Sequence, residues 1–157
     1  MIFDFLQANW FEIVAALLAV AYLLLAMIQD VRCWVAWIIS SLMYLFVMYS
    51  AGLYMEALLQ IFYIFIGFYG LYQWRFMSDL KETLRISTWS VKNHFIVIAI
   101  LIFLTFVSGY ILTIFTAAAS PFVDAFTTWG AIVASYLVAK KILENWFYWF
   151  VIDFVSV

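Results

Sequence analysis

The chain is short of charge, histidine and cysteine, and has no glycine-rich phosphate loop; each shortage closes off a class of function. Charged residues make up 10% of 157 positions, against roughly 25% in a soluble domain. Apolar residues make up 70%, against roughly 45–50%, and no water-soluble fold of this length could hide that much apolar surface. Cys33 stands alone, so an internal disulfide is excluded and a packing role is expected. One cysteine and one histidine cannot build a Cys/His metal cluster. The missing phosphate loop argues against an ATP-driven pump. The first residues include Asp4 and no basic residue, unlike a signal peptide, so the first helix is expected to stay in the mature protein. No metal, cofactor or nucleic-acid partner is expected, and the net charge of −2 is too small to indicate any partner.

What the chain does contain is apolar blocks long enough to cross a hydrocarbon layer, which takes about 20 helical residues. Five stand out, at 11–28, 34–50, 55–74, 94–115 and 122–139. Their runs are continuous and lack the alternation of a membrane β-barrel. A sixth block, 145–157, would reach only about 20 Å as a helix. Either it lies half-buried or it is the start of a helix that a longer relative completes, and the second reading is preferred. The expected fold is an all-α polytopic membrane protein with five full transmembrane helices and a truncated sixth, surrounded by the lipid bilayer.

When the loops are placed on alternating sides, Arg32, Arg75, Lys81, Arg85, Lys92, Lys140 and Lys141 all fall on one side. The positive-inside rule makes that side cytoplasmic and puts the N-terminus outside. In the longest loop, Ser78 is placed to cap a short helix with Asp79 and Glu82 in its first turn, while Leu80, Leu84 and Trp89 could dip into the headgroups. Ser120 and Pro121 form a similar cap and first residue for the fifth helix. His94 is a weak candidate for a role at the loop's end.

Laying the sixth block over the second pairs Trp34-x-x-Trp37 with Trp146-x-x-Trp149 and sets Ser41 against Asp153. Ala21-Tyr22-Leu23 and Ser135-Tyr136-Leu137 then correspond only with a small gap. The pattern suggests two parallel units joined by one extra helix, an arrangement of small transporters. The expected organisation is a first three-helix repeat at 1–74, an interfacial cytoplasmic connector at 75–92, a linker helix at 93–115, and an incomplete second repeat at 121–157. The linker helix shows almost nothing polar on any one face.

Two polar stripes remain. Glu56, Gln60, Tyr63, Gly67, Gly70 and Trp74 recur on one face of the third helix, where glycines permit close approach of a neighbour. A packing seam and a binding face both fit this spacing, and Glu56 could simply cap the helix start. On the sixth helix Asn145, Trp149 and Asp153 follow at i, i+4 and i+8, with Trp146 beside them. A carboxylate within a membrane is a functional-site hypothesis by default. Trp146, like Trp10, Trp34 and Trp74, also fits the aromatic belt at the interface. Converging aromatic and amide groups would suit a flat heteroaromatic solute carrying hydroxyls or a positive ring, and not an inorganic ion.

The run Gly52-Leu53-Tyr54-Met55-Glu56-Ala57-Leu58-Leu59-Gln60-Ile61-Phe62-Tyr63, then Tyr69-Gly70-Leu71-Tyr72-Gln73-Trp74, and finally Glu144-Asn145-Trp146-x-x-Trp149-x-x-x-Asp153 resembles the PnuC family of bacterial vitamin transporters. The resemblance implies a three-plus-one-plus-three helix protein of the bacterial inner membrane, of which this chain would lack the end. It implies facilitated uptake of nicotinamide riboside or a related B-vitamin, trapped by cytoplasmic phosphorylation. By that resemblance Trp146, Trp149 and Asn145 would bind the ring, near Asp153, with Gln60, Tyr63 and Gln73 contributing from the third helix. Trp37 joins them as the repeat counterpart of Trp149. The other reading is a non-transporting partner subunit or an inactive fragment whose stripes serve packing. An intramembrane enzyme lacks a convincing nucleophile–base pair. Whether the chain forms a homo-oligomer is left open.

Overall fold

The structure, a computed structural model, describes residues 2–52, 54–79, 85–115 and 120–156. They form six helices, α1 (Ile2–Met27), α2 (Cys33–Ser50), α3 (Tyr54–Asp79), α4 (Val91–Phe115), α5 (Pro121–Ala139) and α6 (Asn145–Ser156), and no strand among the described residues. The first five contain segments long and apolar enough to cross a bilayer. A helix meets its own backbone hydrogen bonds, as a segment without water around it must. The chain is an all-α polytopic membrane protein. Its exposed surface is rich in large apolar side chains, among them Phe65, Phe95, Phe103 and Phe115, as lipid contact requires.

Four helices match the apolar blocks to within about three residues at each end, a margin usual for helix ends. The other two run past theirs. α1 begins nine residues before its block, at Ile2, and takes in the polar residues Gln7 and Asn9. α3 continues past Trp74 through Ser78 to Asp79, so Ser78 lies within this helix and does not stand as the cap before a new one. Leu80, Lys81, Glu82 and Leu84 lie outside the described residues. Pro121 does occupy the first turn of α5 after Ser120, but the Ser120 hydroxyl makes no capping bond.

The chain divides into two units, Met1–Leu84 and Arg85–Val157. In the first, α2 packs against both α1 and α3; in the second, α5 packs against both α4 and α6. Small side chains let these helices close up: Ala15 and Ala26 of α1 are buried, and the Ser40 hydroxyl of α2 donates to the Ala15 carbonyl at 2.9 Å. The helix expected to be a featureless linker, α4, has a polar contact after all. Ser108 accepts a hydrogen bond from the Trp129 indole at 2.9 Å, and the bare Gly109 admits the Phe122 ring.

Both units turn a hairpin in the same way. Gln29 and Lys141 have left-handed φ of 58° and 53°. After α1, the Gln29 amide donates to Ala26 and the Asp30 amide to Leu25; after α5, Lys141 donates to Val138 and Ile142 to Leu137. These are the two crossed bonds of a Schellman turn, which satisfy carbonyls orphaned at a helix end. Every member lies 112 residues after its counterpart, the difference between positions 34 and 146. At this offset Tyr22 stands opposite Ala134, so the turns align without the gap that pairing Tyr22 with Tyr136 would need.

The two turns are fastened differently. In the first, the Asp30 carboxylate accepts from the Arg32 amide at 2.8 Å and from its guanidinium at 2.6–3.1 Å. Those bonds hold the Asp30 carboxyl below its ordinary range. In the second, the corresponding residues are Ile142, which is buried, and Glu144. Here the segment after the described gap serves as a strap: the Ser87 amide donates to Lys141 O at 3.0 Å, Leu143 N to Ser87 O at 2.9 Å, and Trp89 N to Glu144 Oε1 at 3.2 Å. The end of the expected interfacial connector is therefore pinned to the α5–α6 turn.

Candidate functional site

The structure gathers the expected site residues into two groups, one in each unit. In the first unit, Trp37 of α2 lies against Tyr63 of α3, with ring centroids 5.0 Å apart, and its indole N–H donates to the Tyr63 carbonyl at 2.8 Å. Tyr22 of α1 closes on the other side at 4.4 Å. Trp34 lies 6.4 Å from Trp37 and 5.6 Å from Trp74. The glycines of the α3 stripe make room for these indoles. A Cβ on Gly67 would come within 2.6 Å of Ile38 and 2.9 Å of Trp37, and one on Gly70 would overlap the Trp34 ring. From Tyr63 to Trp74 the stripe is therefore a packing seam, whereas Gln60 is only half-buried and Glu56 is exposed.

Two belt assignments give way here. Trp34 is 0% exposed and Trp74 is 6% exposed, so both are core residues, whereas Trp10 is 59% exposed. Spacing alone places Trp34 and Trp74 on helix ends, but only the neighbouring glycines reveal that another helix receives them. Tyr22 was overlooked. Its signal was the stripe it shares on α1 with the small residues Ala15 and Ala26, at seven and four residues' distance.

Gln73 lies at the same end of α3, buried, and its amide N–H donates to the Tyr69 hydroxyl at 3.0 Å. Its Oε1 is buried and has no hydrogen-bond partner. The Trp34 indole N–H is buried and unpartnered as well.

In the second unit, Asn145 opens α6 at 6% exposure. Its amide nitrogen donates to the Ile142 carbonyl. A carbonyl can only accept, which fixes the amide orientation and leaves Oδ1 buried without a partner. Along the same face Trp149 is half-buried, while Trp146, 41% exposed, and Asp153 are open. The stripe thus runs from a buried acceptor, past two indoles, to an exposed carboxylate. A lost hydrogen bond on a buried polar group costs about 1–3 kcal/mol, so native proteins leave few such groups. Each unit therefore offers a donor-bearing molecule one buried amide oxygen, Gln73 Oε1 or Asn145 Oδ1.

A third group was given little weight on sequence grounds. His94 Nδ1 lies 2.9 Å from the Tyr148 hydroxyl, and His94 Nε2 lies 3.7 Å from Glu144 Oε1. The members are fifty or so residues apart in the chain, so no local motif brings them together. Among the described residues, no cluster of His, Cys, Asp and Glu is suited to a metal ion.

Five helices long and apolar enough to cross a bilayer define a polytopic membrane protein. Residues 9–157 match the family model described as nicotinamide mononucleotide transporter, and the chain belongs to that family of PnuC-like vitamin transporters. It is 28% identical over 156 residues to the riboflavin/roseoflavin transporter RibM of Streptomyces davaonensis, covering 94% of this chain and 70% of the relative. Its fold is that of the crystal structure of the vitamin B3 transporter PnuC, with a TM-score of 0.79 at 24% identity over 99% of this chain and 68% of the other.

Proposed function

We propose that the chain carries nicotinamide riboside, or a related B-vitamin or nucleoside, across the bacterial inner membrane by facilitated, alternating-access uptake, with cytoplasmic phosphorylation trapping the solute. The observation that carries this reading is the buried, unpartnered Oδ1 of Asn145 beside Trp146 and Trp149. A carboxamide or ribosyl hydroxyl can donate to that oxygen while the indoles stack on a flat ring, and Asp153 favours a cationic pyridinium over a neutral one. Gln73, Gln60, Tyr63 and Trp37 are the candidate contacts of the first unit. The cations Arg32, Arg75, Arg85, Lys92, Lys140 and Lys141 support an outside N-terminus through the positive-inside rule.

The test is a binding titration on purified protein with nicotinamide riboside. Asn145→Ala is expected to weaken binding about tenfold, the effect of one hydrogen bond of about 1.4 kcal/mol, and Trp149→Ala to weaken it at least as much. Unchanged affinity in both variants would remove the site. A native protein that binds no vitamin at all would instead favour a partner subunit whose stripes serve packing. A second reading, riboflavin as the solute, is favoured by the relative RibM. Competition between the two vitamins separates the readings, since only the true solute displaces the other at low concentration.

A further inference from the structure

In the second unit, α4 and α6 each pack against α5, and the His94–Tyr148 contact joins them at one end. Between them lies a groove of about 480 Å³. Phe126 and Gly130 of α5 form its floor, and Ile98 and Ile102 of α4 face Val151 and Ile152 of α6 across it. From His94 to Ile102 it runs along eight residues, which is about 12 Å of helix. One end alone is polar, where His94, Glu144 and Tyr148 line it.

The polar end is only partly satisfied. Glu144 Oε1 accepts from Trp89 N at 3.2 Å, but Oε2 is buried and has no hydrogen-bond partner. His94 Nδ1 is engaged by the Tyr148 hydroxyl at 2.9 Å, and Nε2, at 3.7 Å from Glu144 Oε1, is too far for a hydrogen bond. A carboxylate oxygen can only accept, so Oε2 calls for a donor, best a cationic one. The rings of Trp89 and Tyr148 flank His94 at 5.7 and 5.9 Å and offer faces suited to a cation.

The position of the groove decides the rest of the ligand. Its α4 wall belongs to a helix long and apolar enough to span a membrane, and Ile98, Ile102 and Phe147 are exposed apolar side chains along the groove. A single acyl chain fits. We propose that this groove seats one chain of a membrane phospholipid with a primary ammonium head, the ammonium bound by Glu144.

The experiment is native mass spectrometry of the purified, detergent-solubilised protein with phosphatidylethanolamine, phosphatidylcholine and phosphatidylglycerol of identical acyl chains. Choline has no N–H to donate and glycerol no cation. The native chain is expected to retain phosphatidylethanolamine about tenfold over both others, the factor a charge-assisted hydrogen bond contributes. Glu144→Gln is expected to erase that preference while acyl binding persists, and Ile98→Trp, which fills the groove and keeps the polar end, to lose all three lipids. Circular dichroism confirms that both variants are folded, and a melted Glu144→Gln protein transfers the decision to Ile98→Trp. Equal retention of the three lipids by the native chain would overturn the proposal, as would a preference that survives in folded Glu144→Gln or undiminished lipid retention in Ile98→Trp.

Discussion

The α1–α2 and α5–α6 turns share one backbone and are held by opposite means. The first is fastened by its own side chains, through Asp30 and Arg32; the second has Ile142 and Glu144 at those places and is fastened by a strap from elsewhere in its unit. Crossed carbonyl bonds and one left-handed residue are enough to specify the hairpin. What secures it afterwards is free to vary. The α6 turn is thereby tied to the Ser87–Trp89 segment, next to the residue proposed to accept a hydrogen bond from the solute, whereas the α2 turn is fastened by Asp30 and Arg32 within it.

The largest contrast to test is between the indoles that share this offset. Trp34→Ala is expected to cost about 3–5 kcal/mol, as for any fully buried tryptophan, and Trp146→Ala, at an exposed position, within about 0.5 kcal/mol. Denaturant unfolding in micelles measures both, and similar losses would show that the matched positions are equivalent in packing. Next is the strap. Ser87→Pro removes the donor to Lys141 and should weaken the α5–α6 turn by about 1–3 kcal/mol, read as faster amide exchange at Ile142, with no change at Asp30. Equal loosening of both turns would sink the distinction.

Gln29→Gly should relieve left-handed strain and stabilise by up to about 1 kcal/mol, reduced by loss of the Gln29 side-chain bond to Ala26. The smallest effect concerns acid. The Asp30 carboxyl is held below its ordinary value by Arg32, so its stabilisation is complete above the unfolded value near pH 4 and is lost as pH falls through the lowered folded value. Exchange at the Arg32 amide is expected to quicken below about pH 4, with no parallel change from this source at Glu144. A turn indifferent to acid would mean that the ion pair holds nothing.

How much of this could be read beforehand depended on the range of the signal. The spans were legible because a membrane demands unbroken apolar length, and α2 begins and ends within a residue of its block. The α3 glycines announced a close approach, and Gly67 and Gly70 do receive a neighbour. Ser78 misled because serine and aspartate read as a helix start, and here they lie within α3. The strap left no trace, since two of its three bonds join backbone to backbone and any sequence can make them. The polar end of the groove was hidden for another reason: His94 and Tyr148 meet only after α4 and α6 have both packed against α5.

The indoles seated over Gly67 and Gly70 also limit how the first unit can move. A slip of α2 along α3 by one turn, about 5.4 Å, would carry the Trp34 ring onto Trp74 in one direction and Ile38 onto the Tyr63 ring in the other. Both routes end in a collision of bulky groups, so the pair behaves like a ratchet with a single tooth. Whatever rearrangement accompanies solute passage, α2 and α3 must travel through it as one rigid piece.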